Sequence, residues 1–188
     1  ITKLKRWLVN ATTELDISDK IHISTKYNRA SDAEYFKEIK HTDTDLKRLL
    51  SHLIVTYIDS ENHFSSTLLT EDEQIVNAGA PAYTRALEGS VSKTFNTENE
   101  LPVTVSLVST KFTHDTPGKD SGVRTHVNVG VKKTLSTEFP VVTTKANVSN
   151  THYELKNKNN INRTVAGAGI DFAFPFISQS ELFNAQVI

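Results

Sequence analysis

Polar and apolar residues alternate with a period of two through the second half of the chain, from about Val91 onward. Threonine, serine and valine fill most of these positions, and such alternation is typical of half-buried β-strands. The polar stretches "NTENELP", "HDTPGKDSG" and "KNKNN" have the composition of turns. The pattern predicts strands at residues 90–95, 103–111, 123–139, 141–155 and 161–174.

The alternating stretch "VGVKKTLSTEFPVVTTKANVS", at residues 129–149, contains a proline. Proline lacks the amide hydrogen that a central strand donates, but it is well suited to a turn. We therefore interpret Phe139 and Pro140 as the tip of a hairpin between two long amphipathic strands. Each strand is also long enough to cross a bilayer, which needs about 9–11 residues. Lys133 is in phase with the apolar side of this hairpin. If that side faced lipid, the lysine would cost about 2–4 kcal/mol at the bilayer midplane.

The first ninety residues show mainly helical spacing, with "IHIS" at residues 21–24 as a candidate short strand. Ser31 with Glu34, and Thr70 with Glu73, have the spacing of capping boxes at helix starts. Two apolar stripes have a helical period, namely Ile1, Leu4, Trp7 and Leu8, and then Leu46, Leu49, Leu50, Leu53, Ile54 and Tyr57 within residues 45–58.

The two halves together predict an α+β fold. A small helical N-terminal region, residues 1–90, would form a head or receptor-binding part. An elongated antiparallel β-domain with the long amphipathic hairpin would follow at residues 91–188.

Composition narrows the function classes. The net charge of -1 gives no general reason to expect a nucleic-acid partner. The absence of cysteine excludes disulfides and thiolate chemistry. No phosphate-binding loop, nucleophile elbow or zinc-protease helix occurs, and the seven histidines lack metal-binding spacing. We expect no enzyme, no catalytic residue, no metal site and no cofactor.

The hairpin region resembles the aerolysin-like β-pore-forming proteins, the family of epsilon toxin and the mosquitocidal toxins. The resemblance rests on "VNVGVKKTLSTEFPVVTTKANVSNTHYEL", residues 127–155, which is similar to that family's strand, apolar tip and hydroxyl-rich return strand. The preceding stretch "VSKTFNTENELPVTVSLVSTKFTHDTP", residues 91–117, is similar to its Asn- and Thr-rich strand pair.

The resemblance implies a secreted toxin that binds an unknown surface receptor on a target cell membrane, assembles into a homo-oligomer and inserts the hairpin as a pore. It assigns the inserting tip to Phe139, Pro140, Val141 and Val142. It assigns the lipid-facing positions to Val129, Val131, Leu135, Ala146 and Val148. It assigns the positions facing the pore lumen to Lys132, Glu138 and Lys145.

Two alternatives remain open from the sequence. Amphipathic strands are what every antiparallel sheet uses, so the chain is also consistent with a secreted β-sandwich that binds or adheres without entering a membrane. Long strands would equally suit a structural protein that assembles into a shell or a fibre.

Overall fold

The computed structural model of the protein describes residues 6–35, 48–76, 82–97, 101–136, 140–156, 158–174, 176–179 and 184–187. Within these residues the chain is almost entirely β-structure. The strands are β1 (Leu8–Ser18), β2 (Ile21–Ala30), β3 (Arg48–Asp59), β4 (Phe64–Ile75), β5 (Thr84–Asn96), β6 (Pro102–Thr113), β7 (Gly122–Ser136), β8 (Val141–Leu155), β9 (Ile161–Ala173), β10 (Phe176–Gln179) and β11 (Asn184–Val187).

Strands β1 to β9 form one nine-stranded sheet in which every strand pairs antiparallel with its neighbours in chain order. Each connection is therefore a hairpin, and the sheet is a simple meander. Strands β10 and β11 form a separate two-stranded sheet. In the described part of the chain, β1 and β9 each have a strand on one side only, so both edges of the large sheet are open.

The predicted helical region is wrong, and with it the α+β class. Most of the stripe at residues 45–58 lies in β3, while Thr70 and Glu73 lie within β4. Ile54, Val55, Thr56 and Tyr57 are β-branched or aromatic, and such residues favour a strand once a neighbouring strand is present to pair with. Leu8 opens β1, whereas Ile1 and Leu4 fall outside the described residues.

The sheet is continuous across the position of the predicted domain division. Strand β5 runs through residues 90 and 91 and pairs with β4 on one side and β6 on the other. A division into regions 1–90 and 91–188 with separate roles stays a prediction, but the first region is not a helical head.

The connections at the two ends of the sheet differ in length. At one end they are residues 19–20, 60–63, 97–101 and 137–140. At the other end they are residues 31–47, 76–83, 114–121 and 156–160. We call these the short-connection end and the long-connection end.

Three of the ladders contain a β-bulge. The register shifts by one residue between Asp16 and Ser18, between Arg85 and Leu87, and between Thr134 and Ser136. The extra residues are therefore Ile17, Ala86 and Leu135, and each lies close to the end of its strand. Beyond a bulge the pairing continues with the strand bent and its twist increased.

Buried apolar residues are few. A small cluster of Ala30, Leu49 and Val76, with Tyr35 packed against it, is the apolar core cluster of the described residues. The sheet therefore depends mainly on its backbone ladders and on cross-strand side-chain pairs, each worth about 0.2–1 kcal/mol.

Gly122, the first residue of β7, stands against the backbone of β8. An added Cβ at this position would overlap the carbonyl oxygen of Glu154. We expect Gly122→Ala to lower the free energy of unfolding by about 1–3 kcal/mol, because backbone atoms must shift to admit the methyl group. Chemical denaturation measures this change.

Gly89, in the middle of β5, supplies the matched control. A Cβ built there meets no atom within 4 Å. Gly89→Ala is expected to leave the stability unchanged or slightly raised, since it removes freedom from the unfolded chain. Equal losses in the two variants would contradict a steric role for Gly122.

A charged contact joins two turns at the short-connection end. Asp59, at the end of β3, accepts a hydrogen bond from the side-chain amide of Asn62 at 2.8 Å and another from Lys20 Nζ at 3.0 Å. These two donors, Asn62 first, lower the pKa of Asp59 to about 2, and Asp59 correspondingly raises the pKa of Lys20. The β1–β2 turn is thus tied to the β3–β4 turn.

This contact predicts a specific loss of stability in acid. The folded-state pKa of Asp59 lies below its ordinary value of 3.8, so the contribution is complete above that value and is lost as the pH falls toward about 2. Denaturation midpoints measured from pH 6 to pH 2 should fall less steeply in Asp59→Asn. Glu61→Gln removes an exposed carboxyl in the same turn and should retain the full slope; the same reduced slope in both variants would assign the effect to turn charge in general.

Candidate functional site

The nine-stranded sheet has two chemically different faces. Because side chains alternate and directly paired residues point the same way, the ladders place one residue of each strand in a common layer. We call the apolar face the side that carries Val55, Leu68, Val91, Leu107, Val129, Val148 and Ile170, one on each strand from β3 to β9. The polar face is the side that carries His52, Glu71, Glu88, Thr110, Arg124, Lys145 and Asp171.

The apolar face is exposed. Relative exposures reach 51% for Leu68, 53% for Val148, 60% for Ile170 and 59% for Phe172. No second layer packs against this face within the described residues, whose buried apolar cluster is the small one at Ala30. An apolar surface of this continuity is rare on a protein that is surrounded by water, and it marks a contact surface.

The apolar residues of this face form a band, the apolar band, that runs diagonally across the ladders. A row of directly paired residues that starts at Val55 on β3 ends at Asn162 on β9. The apolar residues of β9 on this face instead run from Ala166 to Phe172, nearer the short-connection end. The band is therefore displaced along the strand direction by about seven residues, or about 23 Å, from β3 to β9. Across the strands the separation is six spacings, about 29 Å in total. If the band is perpendicular to a given axis, the strands must be tilted by about 38° from that axis.

Aromatic and lysine side chains border the band at the short-connection end. Tyr57 and Phe64 lie with their ring centroids 5.9 Å apart on paired strands. Lys93 Nζ lies 5.4 Å from the ring centroid of Phe95, and Lys133 occupies the same face further along the sheet. A lysine here covers apolar surface with its stem while its charge reaches out of the band.

Cross-strand hydrogen bonds connect many of the side chains on the polar face. Thr94 and Thr104 lie 2.9 Å apart through their hydroxyls, and His126 Nδ1 lies 2.8 Å from Thr151 Oγ1. Lys145 donates to both carboxylate oxygens of Asp171 at 3.0 and 2.9 Å. The face is less polar on β3, which places Leu50, Ile54 and Ile58 on this side. Its general chemistry nevertheless suits contact with water.

The structure brings most of the sequence-predicted hairpin residues together on two sides. Val129 pairs directly with Val148, and Val131 with Ala146, all on the apolar face, which Val142 also joins. Lys132 pairs with Lys145 on the polar face. Leu135 is the bulge residue and is 62% exposed. Pro140 lies in a bend before Val141, whereas Glu138 and Phe139 fall outside the described residues. The functional roles given to all these residues stay predictions.

Sequence reasoning missed the contribution of the first half to the apolar face. Leu53, Val55 and Tyr57 on β3 and Phe64, Ser66 and Leu68 on β4 continue the same layer. Strand β3 has apolar residues on both faces, so it shows no clear period of two, and its leucines also fit a helical spacing.

The described residues do not contain a group of three or more histidine or acidic side chains that could hold a metal ion. None of the described helical structure has the length and hydrophobicity needed to cross a bilayer.

The chain was compared with known proteins. A family model described as "LptD: LPS transport system D" matches residues 5–188. No curated protein sequence matches the chain.

The family match overturns the toxin interpretation. It spans nearly the whole chain, including the residues 91–155 on which the resemblance to aerolysin-like proteins rested. The resemblance came from amphipathic, hydroxyl-rich strands, a pattern that unrelated β-sheets share. The predicted pore-forming toxin, its cell-surface receptor, its assembly on a target membrane and its secretion are therefore wrong. A binding protein, the first alternative from the sequence, agrees better with the match.

Proposed function

The chain belongs to the LPS transport system D family, and from this premise we propose that its sheet forms part of a lipopolysaccharide transport component in the outer membrane. The apolar face lies against lipid acyl chains. The polar face lies toward water and the saccharide portion of the lipopolysaccharide. The observation that carries the proposal is the exposed apolar face backed by a polar face on the same strands.

The dimensions of the apolar band support this placement. On β5 the band together with its aromatic border runs from Leu87 to Phe95. This stretch measures about 26 Å along the strand and about 21 Å once the 38° tilt is taken into account. Strands that line a membrane wall tilt by about 35–45° and carry an outward apolar band about 25 Å tall. The strand tilt of about 38° lies within that range, and it follows from the strand registers alone, without any assumption about a membrane.

The border and the connections of the sheet agree with an interface at each end. Aromatic side chains gather where an apolar band meets the lipid headgroups, as Tyr57, Phe64 and Phe95 do at the short-connection end. Short turns on one side of the membrane and longer loops on the other are also typical of outer-membrane strands. Three of the four connections at the long-connection end, residues 31–47, 76–83 and 114–121, are longer than every connection at the short-connection end.

The open edges require further strands. In lipid, an unpaired backbone amide or carbonyl costs several kcal/mol, so spanning strands exist only in closed walls. β1 and β9 would each need another strand from the same transport component. This requirement distinguishes the proposal from a self-sufficient sandwich, which would cover its apolar face with a second sheet of its own.

Tryptophan quenching tests which face meets acyl chains. In a Trp7→Phe background, Val148→Trp places an indole on the apolar face and Asn147→Trp places one on the polar face at the next residue. Vesicles whose lipids carry bromine on the acyl chains should quench the fluorescence at position 148 strongly and at position 147 weakly.

The two positions are at the same depth in the sheet, so they control for insertion itself. Equal quenching at positions 147 and 148 would contradict a lipid-facing side. Absence of quenching at both positions in a folded protein would place the sheet outside the bilayer.

Charge substitution tests the same orientation through stability. Val129→Arg should lower the free energy of unfolding in bilayers by about 2–4 kcal/mol, because the guanidinium would enter the acyl region near the middle of the band. Asn128→Arg, on the polar face beside it, should change the stability by less than about 1 kcal/mol. Reversible denaturation from lipid vesicles measures both, and a larger cost at position 128 would reverse the assignment of the faces.

A further inference from the structure

A cavity of about 430 Å³ opens near the long-connection end of β5 to β8. Strand residues Arg85, Phe112, Arg124 and Tyr153 line it from the polar face. Tyr83 and Asp120 complete its rim from the adjoining connections. Aromatic walls with a few convergent polar groups are typical of small-ligand sites.

Arg124 is the unsatisfied group of this cavity. Its Nε is buried without a hydrogen-bond partner, and its Nη2 lies 3.4 Å from Thr110 Oγ1. Across the described residues, no carboxylate lies within 4 Å of this guanidinium. A half-buried guanidinium without a carboxylate partner among the described residues is costly, so an anionic ligand in the cavity is favoured.

The other charged groups at the cavity are already neutralised. Arg85 forms ion pairs with Glu71 and Glu88, and Asp120 forms one with Lys158. Thr110 donates to Glu88 at 2.7 Å, which fixes its hydroxyl. The unpaired charge at the cavity is therefore positive and belongs to Arg124.

The aromatic side chains present a surface for a ring. Tyr83 packs edge-on against Phe112 at 5.7 Å and against His114 at 4.7 Å between ring centroids. Tyr83 is nevertheless 53% exposed, so part of its ring is open to a ligand. The C–H face of a pyranose is apolar and suits such a surface, while its hydroxyls suit the polar groups around it.

We propose that this cavity binds a phosphorylated sugar. Arg124 pairs with the phosphate, for which the planar guanidinium offers two parallel donors, and Tyr83 and Phe112 contact the sugar ring. The proposal rests on the proposed function only for the source of the sugar. A lipopolysaccharide headgroup and a free sugar phosphate share this chemistry.

The test uses the full chain in a non-ionic detergent, with binding followed by calorimetry. The probes are glucosamine 6-phosphate, glucosamine and inorganic phosphate. Glucosamine 6-phosphate should bind saturably and more tightly than either of the other two. Arg124→Gln should weaken its binding by about tenfold or more, since a charge-assisted hydrogen bond is lost.

A second variant separates the sugar from the phosphate. Tyr83→Ala should weaken binding of glucosamine 6-phosphate and leave binding of inorganic phosphate unchanged. Because this side chain is half exposed, its removal should not prevent folding, so the variant decides the matter if Arg124→Gln does not fold. Arg163→Gln, an exposed arginine on the polar face of β9, is the matched control and should bind all probes as the unaltered chain does.

Two results would overturn the proposal. One is the absence of saturable binding of glucosamine 6-phosphate, and the other is equal affinity for inorganic phosphate with no effect of Tyr83→Ala. Competition by purified lipopolysaccharide would assign the sugar to the lipid headgroup, whereas binding without competition would assign the cavity to a free sugar phosphate. The tryptophan-quenching result is independent of all these outcomes, so failure here leaves the proposed role of the apolar face intact.

Discussion

The backbone ladder of the nine antiparallel strands is the interaction on which the rest of the structure depends. The described residues bury so few apolar side chains that packing cannot define the arrangement, whereas the ladders pair almost every strand along most of its length. Register has a further effect, because it decides which side chains share a face. The ladder therefore creates both the apolar surface and the polar surface from strands that are individually unremarkable in composition.

Under the proposed function, the two faces serve one environment, the boundary between lipid and water. A sheet that separates lipid from water needs an apolar side without a covering layer, charges at its border and hydrogen-bonded polar side chains behind it. The exposed Val148 and Ile170, the Lys93–Phe95 contact and the Lys145–Asp171 pair supply these three elements. Arg124 departs from the pattern of satisfied polar groups, and this departure is what makes its cavity stand out.

The sequence predicted the second half of the fold far better than the first. The alternation is clear on both sides of Pro140, so residues 123–139 and 141–155 were predicted as strands close to where β7 and β8 lie. Strand β3 has apolar residues on both faces, and a two-sided strand has no clear period of two. The direct pairing of Val129 with Val148 follows from the hairpin, but the alignment of Tyr57 and Phe64 with it across the sheet depends on registers that no local pattern contains. The cavity at Arg124 is lined by residues of four strands, so it also could not be predicted from local sequence patterns.

The positions of the three bulges have a consequence for how such a chain changes over generations. Inserting or deleting one residue inside a strand moves every following side chain of that strand to the opposite face. Valines would then lie on the polar face and charged residues on the apolar face. At Ile17, Ala86 and Leu135 an additional residue is absorbed so close to a strand end that only a few positions change sides. Length variation among descendants of this sequence should therefore accumulate at these points and in the connections, while the interiors of the strands evolve by substitution alone.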